Sequence, residues 1–480
     1  MSTFSGLNTA YSGLVAARKG LDVVGQNISN ANTVGYTRQR VTTSAIGSLA
    51  ETGRLTGGAR VGEGVSVTGI ARLGNAQLDA HVRNSAAAAG YTAVRANSLS
   101  SIETSLNEPG ENGISAKLDA FWAGWQELSN GSDSTTPGAL LLSTAGELTT
   151  MIAQGYQAVS TEYSSVRGDL GSMVTELNTA ASQVAALNVQ IRTTIATGGN
   201  ANELLDQRDL LTTTISALTG ASVVAQSDGT VNVLIGGNAL VSGGTASALK
   251  VSGGTTLDDA MAGTKVTLVW ADDSRTSDVV VDGGEIAGAL TLLAPEGDLA
   301  TAAAAYNTFA EDLKTKVNNI YMTGKSSSGA QSSEFFLFAP SKPAALGLYV
   351  VPTKGSDIVA GDLQGGGAYD GSIADAIAQL GAGKAIDVNG DLIASPSTKW
   401  SDFVSTIAVA TQSELQQANL ASSTATYASS QQLANSSVDL DEENVNLLMF
   451  QTAYQGAARV LTAVDEMLDT LINRTGLVGR

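Results

Sequence analysis

The cysteine and histidine content of this 480-residue chain limits the chemistry that its side chains can carry out. The sequence contains no cysteine and a single histidine, His81. A thiolate nucleophile, a disulfide, an iron–sulfur cluster and a multi-histidine zinc or iron site are therefore excluded. Because His81 has no second histidine or cysteine to act with, a surface or packing role is favoured over catalysis. We expect neither enzymatic activity nor a cofactor.

Three short segments could still be interpreted as sites. Residues 387–391 (DVNGD) resemble the start of a calcium loop, but the required glycine and final carboxylate are replaced by Leu392 and Thr398, which favours a turn. The glycine run at 365–367 precedes no strand–helix unit with a lysine, so a phosphate cradle is disfavoured. The acids in 439–443 could act as an acid–base pair, but acids just before a helix usually cap it. No metal or catalytic site is expected.

Composition and charge limit the partners. The chain has 26 basic and 45 acidic residues, a net charge of −19 and a pI near 4.4. This charge repels phosphate backbones and anionic lipid, so nucleic acid is not expected as a partner. No apolar run is long enough to span a bilayer, so membrane insertion is not expected, and no secretory signal peptide is visible.

The two ends of the chain carry apolar residues at helical heptad spacing, with alternating steps of three and four. At the N-terminal end these positions are Leu7, Ala10, Leu14, Ala17, Leu21, Val24 and Ile28. At the C-terminal end they are Leu447, Phe450, Tyr454, Ala457, Leu461, Val464, Leu468 and Leu471. Residues 1–60 carry a net charge of +4 and residues 436–480 a net charge of −4. We expect the two helices to form a coiled coil, parallel or antiparallel, and to pack on neighbouring copies.

The middle of the chain predicts a mainly α, elongated, multidomain fold with a β-rich centre. A third seam runs from Ile152 to Ile191, and its packing is expected to be intramolecular. Alternating apolar residues between turn-forming glycine pairs predict strands in 220–290. The expected segments are an axial helix and loop (1–60), a long-helix bundle (61–219), the β-rich segment (220–290), a returning helix (291–322), a short loop-rich or mixed outer insert (323–398), a bundle helix (399–435) and a C-terminal axial helix (436–480).

Four blocks of sequence carry a family resemblance. The first is Gln26-Asn27-Ile28-Ser29-Asn30-Ala31-Asn32-Thr33-Val34-Gly35-Tyr36-Thr37-Arg38-Gln39, and the others are residues 202–209 (NELLDQRD), 283–290 (GGEIAGAL) and 438–469. The first block resembles the N-terminal signature of rod, hook and hook-associated proteins of bacterial flagella, and its ending resembles the hook-associated protein 1 family. The residues that match the motif are Asn27, Asn30, Asn32, Gly35, Tyr36, Thr37 and Arg38.

The resemblance implies a structural protein, exported by the flagellar type III apparatus without a cleaved signal, that forms a ring at the hook–filament junction. It implies as partners further copies of the chain, the hook protein, hook-associated protein 3 and an export chaperone on the C-terminal segment. The expected location is extracellular, on the flagellum.

Two other functions remain open from the sequence. One is a hook or rod subunit of the same superfamily, which the segment from Gly35 to Gln39 and the block at 202–209 disfavour. The other is an adhesin carried on the flagellum, with a glycan-binding surface on the glycine- and aspartate-rich loops of residues 220–398.

Overall fold

Long helices make up most of the described part of the chain. The computed structural model describes residues 3–47, 62–132, 135–272, 275, 277–325, 332–361, 370–386, 390–470 and 472. The glycine run at 365–367, residues 387–389 of the calcium-like segment and Leu471 lie outside these ranges.

The helices fall into a terminal pair and a central bundle. The helices are α1 (Thr3–Ser29), α2 (Ala76–Leu106), α3 (Ile114–Asn130), α4 (Thr135–Ala196), α5 (Asn202–Thr219), α6 (Leu257–Met261), α7 (Gly284–Leu292), α8 (Asp298–Tyr321), α9 (Ala344–Gly347), α10 (Ser372–Gly381), α11 (Pro396–Ser436) and α12 (Leu440–Asp469), with a 3-10 turn at Gly355–Asp357. The strands are β1 (Gln39–Ala45), β2 (Val65–Arg72), β3 (Ser222–Ala225), β4 (Val231–Ile235), β5 (Asn238–Ser242), β6 (Thr245–Ala246), β7 (Leu249–Gly253), β8 (Val266–Trp270), β9 (Phe336–Phe338) and β10 (Leu348–Val350).

The long helix α4 is the spine of the bundle. It has 62 residues and is about 93 Å long. Of the predicted seam on this helix, Met173 is half-buried and the other positions from Ile152 to Ile191 are buried. Helices α2, α3, α5, α7 and α8 contact α4, and α11 packs along α2. The prediction that this seam is intramolecular core is confirmed.

The β-rich segment packs on α4 through two asparagines. Strands β3 to β6 form an antiparallel sheet in sequence order, and β7 pairs with β8. The Asn178 amide Nδ2 donates to the Leu249 carbonyl oxygen at 2.8 Å, and its Oδ1 accepts from the Leu249 N–H at 2.8 Å. Asn188 makes the same reciprocal pair with Val231, at 2.8 and 3.1 Å. A side-chain amide thus satisfies a strand backbone in each case.

The sequence predicts a loop after the first helix, within 1–60, and a long-helix bundle from 61, but each of these segments contains a strand. Strand β1 pairs antiparallel with β2, from Gln39 opposite Arg72 to Ala45 opposite Val65. Because β2 begins well beyond the end of β1, the two strands are not joined by a short turn, and no hairpin signal in the sequence predicts that they pair. This ribbon stands between the terminal helices and the bundle, and it contacts α1 on one side.

Residues 332–361, 370–386 and 390–395 form a mixed unit of short strands and helices that packs on the bundle. Strand β9 pairs with β10, and α10 packs on α3. Phe335 and Phe336 are fully buried against the bundle aromatics Phe121 and Trp125, with ring centroids 5.1 to 6.2 Å apart. The segment therefore completes the bundle core. Within the ranges described, no helix is long and apolar enough to cross a membrane.

Candidate assembly interface

The terminal helices α1 and α12 lie antiparallel, and a glycine heptad lets them approach closely. Gly6 faces Val464, Gly13 faces Ala457 and Gly20 faces Phe450. The first members of these pairs advance by seven residues while the second members retreat by seven, which establishes the antiparallel direction. At Gly20 a Cβ atom would lie 2.5 Å from Cδ1 of the Phe450 ring, so only glycine leaves room for that ring.

The predicted seam residues lie at and beside this contact. On α1, Ala10, Ala17 and Val24 are buried, whereas Leu7, Leu14, Leu21 and Ile28 are half-buried. On α12 the seam residues are half-buried except Tyr454, which is 37% exposed; they are Leu447, Phe450, Ala457, Leu461, Val464 and Leu468. On α1 the contact centre, where the two helices approach most closely, therefore lies one position before the predicted leucines. It consists of Gly6, Gly13 and Gly20, whose small size shortens the distance between the helix axes.

The pair leaves much apolar surface uncovered. On α12 a second set of large apolar side chains is more than half exposed: Val445, Leu448, Met449, Val460 and Met467. A groove of about 520 Å³ runs between α1, the β1–β2 ribbon and α12, and its lining includes Gly13, Ala17 and Gly20. Exposed apolar patches of this kind mark interaction surfaces.

Asn27 is the centre of a polar cluster at the base of the pair. Asn27 is 1% exposed. Its Nδ2 donates to the Gln39 carbonyl oxygen at 2.9 Å and to Oε2 of Glu443 at 3.1 Å. Its Oδ1 accepts from the Tyr36 hydroxyl at 2.9 Å and from the Gln39 N–H at 3.0 Å. The amide thereby uses its full hydrogen-bonding capacity, and it ties together α1, the segment after it and α12.

Arg38 joins the same cluster to two acids in the first turn of α12. Its Nε donates to Oε1 of Glu443 at 2.8 Å, and its two Nη atoms donate to the carboxylate of Glu442 at 2.7 and 2.8 Å. Glu443 is 1% exposed, so this ion pair is largely buried. The hydrogen bond to Glu442 raises the pKa of Arg38, and the same contact lowers the pKa of Glu442.

Acidic residues also occupy the N-terminal cap and the first turn of α12. Oδ1 of Asp439 accepts from the N–H groups of Asp441 and Glu442 at 2.9 and 3.3 Å. Asp439 is therefore the N-cap, and the prediction that this acidic group caps a helix is confirmed.

A second ionic group connects the cluster to α5. The Thr37 N–H donates to Oδ2 of Asp206 at 3.1 Å, and Nε of Arg72 donates to Oδ1 of Asp206 at 2.6 Å. Nη1 of Arg72 lies 2.6 Å from Oδ2 of Asp209. Burial lowers the pKa of Arg72, but Asp209 and Asp206 outweigh it and raise that pKa overall. Burial raises the pKa of Asp206, although Arg72 and Thr37 oppose that shift.

Gln39 and Tyr36 complete the link. The side chain of Gln39 accepts from Nδ2 of Asn202 at 3.0 Å and donates to Oε1 of Glu203 at 3.3 Å. Burial, together with the nearby acids Glu203, Asp206 and Glu443, raises the pKa of Tyr36 to about 12. Three of the four sequence blocks, around residues 27–39, 202–209 and 438–443, therefore meet in one place. Their spacing along the chain carries no signal of that meeting.

The remaining motif residues shape the turn between α1 and β1. Nδ2 of Asn30 donates to the Gln26 carbonyl oxygen at 3.0 Å, and Oδ1 of Asn30 accepts from the Thr33 hydroxyl at 3.2 Å. Gly35 has φ of +81°, a conformation that favours glycine, and Asn32 is exposed.

Arg208 is a buried cation that sequence reasoning missed. Its Nη1 donates to the Gly229 carbonyl oxygen at 2.7 Å and to Oδ1 of Asn188 at 3.3 Å. Burial lowers the pKa of Arg208. The side chain connects α5 to the turn before β4, so the polar cluster is continued toward the β-rich segment.

The polar cluster fixes the positions of α1, β1, α5 and α12 relative to one another. The side chains of Asn27, Arg38 and Arg72 are engaged with other groups of the cluster, and His81 lies exposed on α2, outside the cluster. Among the described residues, no three histidine, aspartate or glutamate side chains are grouped so that they could hold a metal ion.

Comparison with protein families gives three matches. Residues 99–336 match the family model described as "Flagellar hook-associated protein FlgK helical domain". Residues 7–37 match "Flagella basal body rod protein", and residues 429–474 match "Flagellar basal body rod FlgEFG protein C-terminal". The two rod models therefore cover most of the terminal pair and much of the polar cluster.

Several relatives carry the name "Flagellar hook-associated protein 1". The Bacillus subtilis protein is 31% identical over the whole of both chains. The Escherichia coli protein is 30% identical over 71% of this chain and 61% of its own length, and the Salmonella typhimurium protein 28% over 61% and 52%. The solved structure of "the flagellar hook junction protein FlgK from Burkholderia pseudomallei" has a TM-score of 0.59 at 16% identity, covering 74% of this chain and 99% of that chain. This structural likeness concerns the fold.

Proposed function

The chain belongs to the flagellar hook-associated protein 1 family, and from that premise we propose that it assembles as a ring at the hook–filament junction and joins hook to filament. It is a structural component of the flagellum and not an enzyme. The observation that carries the proposal is the antiparallel α1–α12 pair with its uncovered apolar surface.

The terminal pair is the part that would enter the flagellar axis. Two helices cannot cover both of their own faces, and the exposed side chains of α12 and the groove beside Gly20 need further surface. Burying a large apolar side chain stabilises by about 1.5–3 kcal/mol. The exposed set on α12 therefore supplies several kcal/mol for association when neighbouring copies cover it.

Assembly and ordering of the ends would then be coupled. In the free chain α12 is held by one partner helix and by the cluster around Asn27, whereas in a ring it gains neighbours on its other face. The opposite charges of the two terminal segments, +4 and −4, favour their pairing over contact between like ends. Within one chain, Arg38 of the basic segment forms ion pairs with Glu442 and Glu443 of the acidic segment.

The polar cluster has a separate part in this proposal. Because it joins α1, β1, α5 and α12 through buried hydrogen bonds, it sets the angle between the terminal pair and the bundle. Forces passing between hook and filament would be transmitted through it. The partners proposed are the hook protein on one side and hook-associated protein 3 on the other, with an export chaperone on the C-terminal segment before secretion through the type III apparatus.

The test is location on intact flagella. Immunogold labelling, followed by cryo-electron microscopy of the junction, should place the chain in a ring at the hook–filament boundary. Labelling along the whole hook, or in the rod, would instead support the second candidate, a hook or rod subunit. That candidate is favoured by the two rod-family matches at the ends of the chain.

A further inference from the structure

Helix α11 presents an unusual face to solvent. Its inner side packs on the bundle through Ile407, Thr411 and Ala428, which are buried. On the opposite side, Val409, Leu420 and Tyr427 are 71%, 70% and 61% exposed. At 100° per residue these three side chains point within about 20° of one another. They form one stripe down the outer surface of the helix.

This outer face carries no free charge. From residue 403 to residue 438 the sequence has a single charged residue, Glu414. Glu414 is turned inward, where its carboxylate lies 2.8 Å from Nη2 of Arg95. An uncharged surface therefore extends for about 50 Å along α11. The outward face of a soluble helix is normally charged. Helix α4 follows that rule, with Asp169 and Glu176 exposed.

We propose that the uncharged face of α11 is the lateral contact between the bundles of neighbouring copies, an inference that rests on the proposed ring. The chain carries a net charge of −19, so two copies repel each other unless they meet where no like charges face each other. A basic partner protein would be attracted instead to acidic surface such as that of α4. The α11 face lacks the charges that would select such a partner.

The polar residues within the stripe also suit a second copy. Between the apolar positions lie Ser413, Gln416 and Gln431. Hydroxyl and amide groups are both donors and acceptors, so they can pair with identical groups on another chain. Beyond the stripe, Leu433, Leu440 and Val445 are also exposed along the passage from α11 to α12. Lateral contact in the bundle would therefore continue into contact between terminal helices.

Photo-crosslinking in assembled flagella tests this contact. A p-benzoylphenylalanine residue would replace Tyr427, and as a matched control it would replace the exposed Thr175 on α4. We expect an adduct of two copies of the chain, identified by mass spectrometry, from position 427 and not from position 175. An adduct of position 427 with a different protein would overturn the inference, as would equal two-chain adducts from both positions.

A charge substitution provides a second measurement. In the chain that carries p-benzoylphenylalanine at position 427, Leu420→Glu should lower the yield of the two-chain adduct at least tenfold, because it places like charges in the contact. A tenfold change is equivalent to about 1.4 kcal/mol. Thr175→Glu should leave the yield unchanged. Immunogold label at the junction without a two-chain adduct would overturn this inference alone. Absence of label from the junction would overturn the proposed function, and this inference with it.

Discussion

Replacing Gly20 with alanine is expected to separate α12 from α1, whereas the same replacement at Gly13 is expected to tighten the pair. Both glycines lie in the interior of α1 and face α12. At Gly13 a Cβ atom would lie 4.0 Å from Cβ of Ala457, which is an ordinary contact. At Gly20 it would lie 2.5 Å from Cδ1 and 2.7 Å from Cγ of Phe450. Because Cγ is fixed close to the backbone of α12, turning the ring does not remove the clash.

The expected difference in stability of the α1–α12 pair between the two variants follows from two contributions. Alanine in place of glycine stabilises a helix interior by about 0.5–1 kcal/mol, and this gain is common to both variants. Overpacking costs about 1–3 kcal/mol and applies at Gly20 only. The difference between the two variants is therefore the overpacking cost alone. It corresponds to a ratio of about 5 to 150 in the equilibrium for opening of the pair.

Hydrogen exchange of α12 in the full-length chain measures that equilibrium, because the amides exchange when the helix opens. Gly20→Ala should lower the protection of the segment around Phe450 about 5- to 150-fold relative to Gly13→Ala. Adding Phe450→Leu to Gly20→Ala should restore part of the protection, and the resulting double-mutant cycle isolates the contact. Equal protection in the two alanine variants would refute the close approach at Gly20 and the antiparallel register with it.

Three further outcomes are expected. Arg38→Met should destabilise the docking of α12 by about 3 kcal/mol, because it leaves the buried carboxylate of Glu443 without its cationic partner. Adding Glu443→Gln should recover much of the lost protection from hydrogen exchange, and an unchanged exchange rate in the single variant would contradict this. Tyr36 should ionise near pH 12, so its contribution to stability is complete below pH 10 and is lost as the pH rises toward 12. The absorbance titration at 295 nm of the wild type minus that of Tyr36→Phe measures this pKa, and a midpoint near 10 would show that the hydroxyl is not buried beside Glu203, Asp206 and Glu443. Leu461→Asp should abolish swimming motility while the circular dichroism of the bundle helices persists, since it places a charge in the terminal pair; motile cells carrying this variant would contradict the role of the seam.

The helical framework was largely predictable from local patterns. The heptads around Leu14, Leu170 and Leu461 indicated α1, α4 and α12, because a helix buries every third or fourth residue whatever its partner is. The glycine pair at 236–237 likewise indicated the β4–β5 turn, where both residues have positive φ. In these cases the signal and the structure lie within the same short segment.

The candidate site was predictable only in its parts. Asn27, Arg38 and Glu443 stood in recognisable blocks, but nothing in their spacing shows that Asn27 bonds to Glu443 across 416 residues. The ribbon of β1 and β2 was missed for the same reason, since each strand is defined by a distant partner. Gly20 was missed because the seam was identified from apolar side chains, and glycine has none, although the closest packing of two helices occurs at such residues.

Three properties follow from the amino-acid sequence alone: the absence of cysteine chemistry, the acidic body of the chain and the periodicity of its helices. They depend only on residue types and on neighbours a few positions away. The sequence also predicted that the terminal helices would pair. The folded structure was needed to establish their antiparallel direction, the contact centre at Gly13 and Gly20, and the cluster that joins Asn27, Arg38, Asp206 and Glu443. Direction and contact depend on which surfaces meet after the chain has folded, and heptad spacing is the same for either direction.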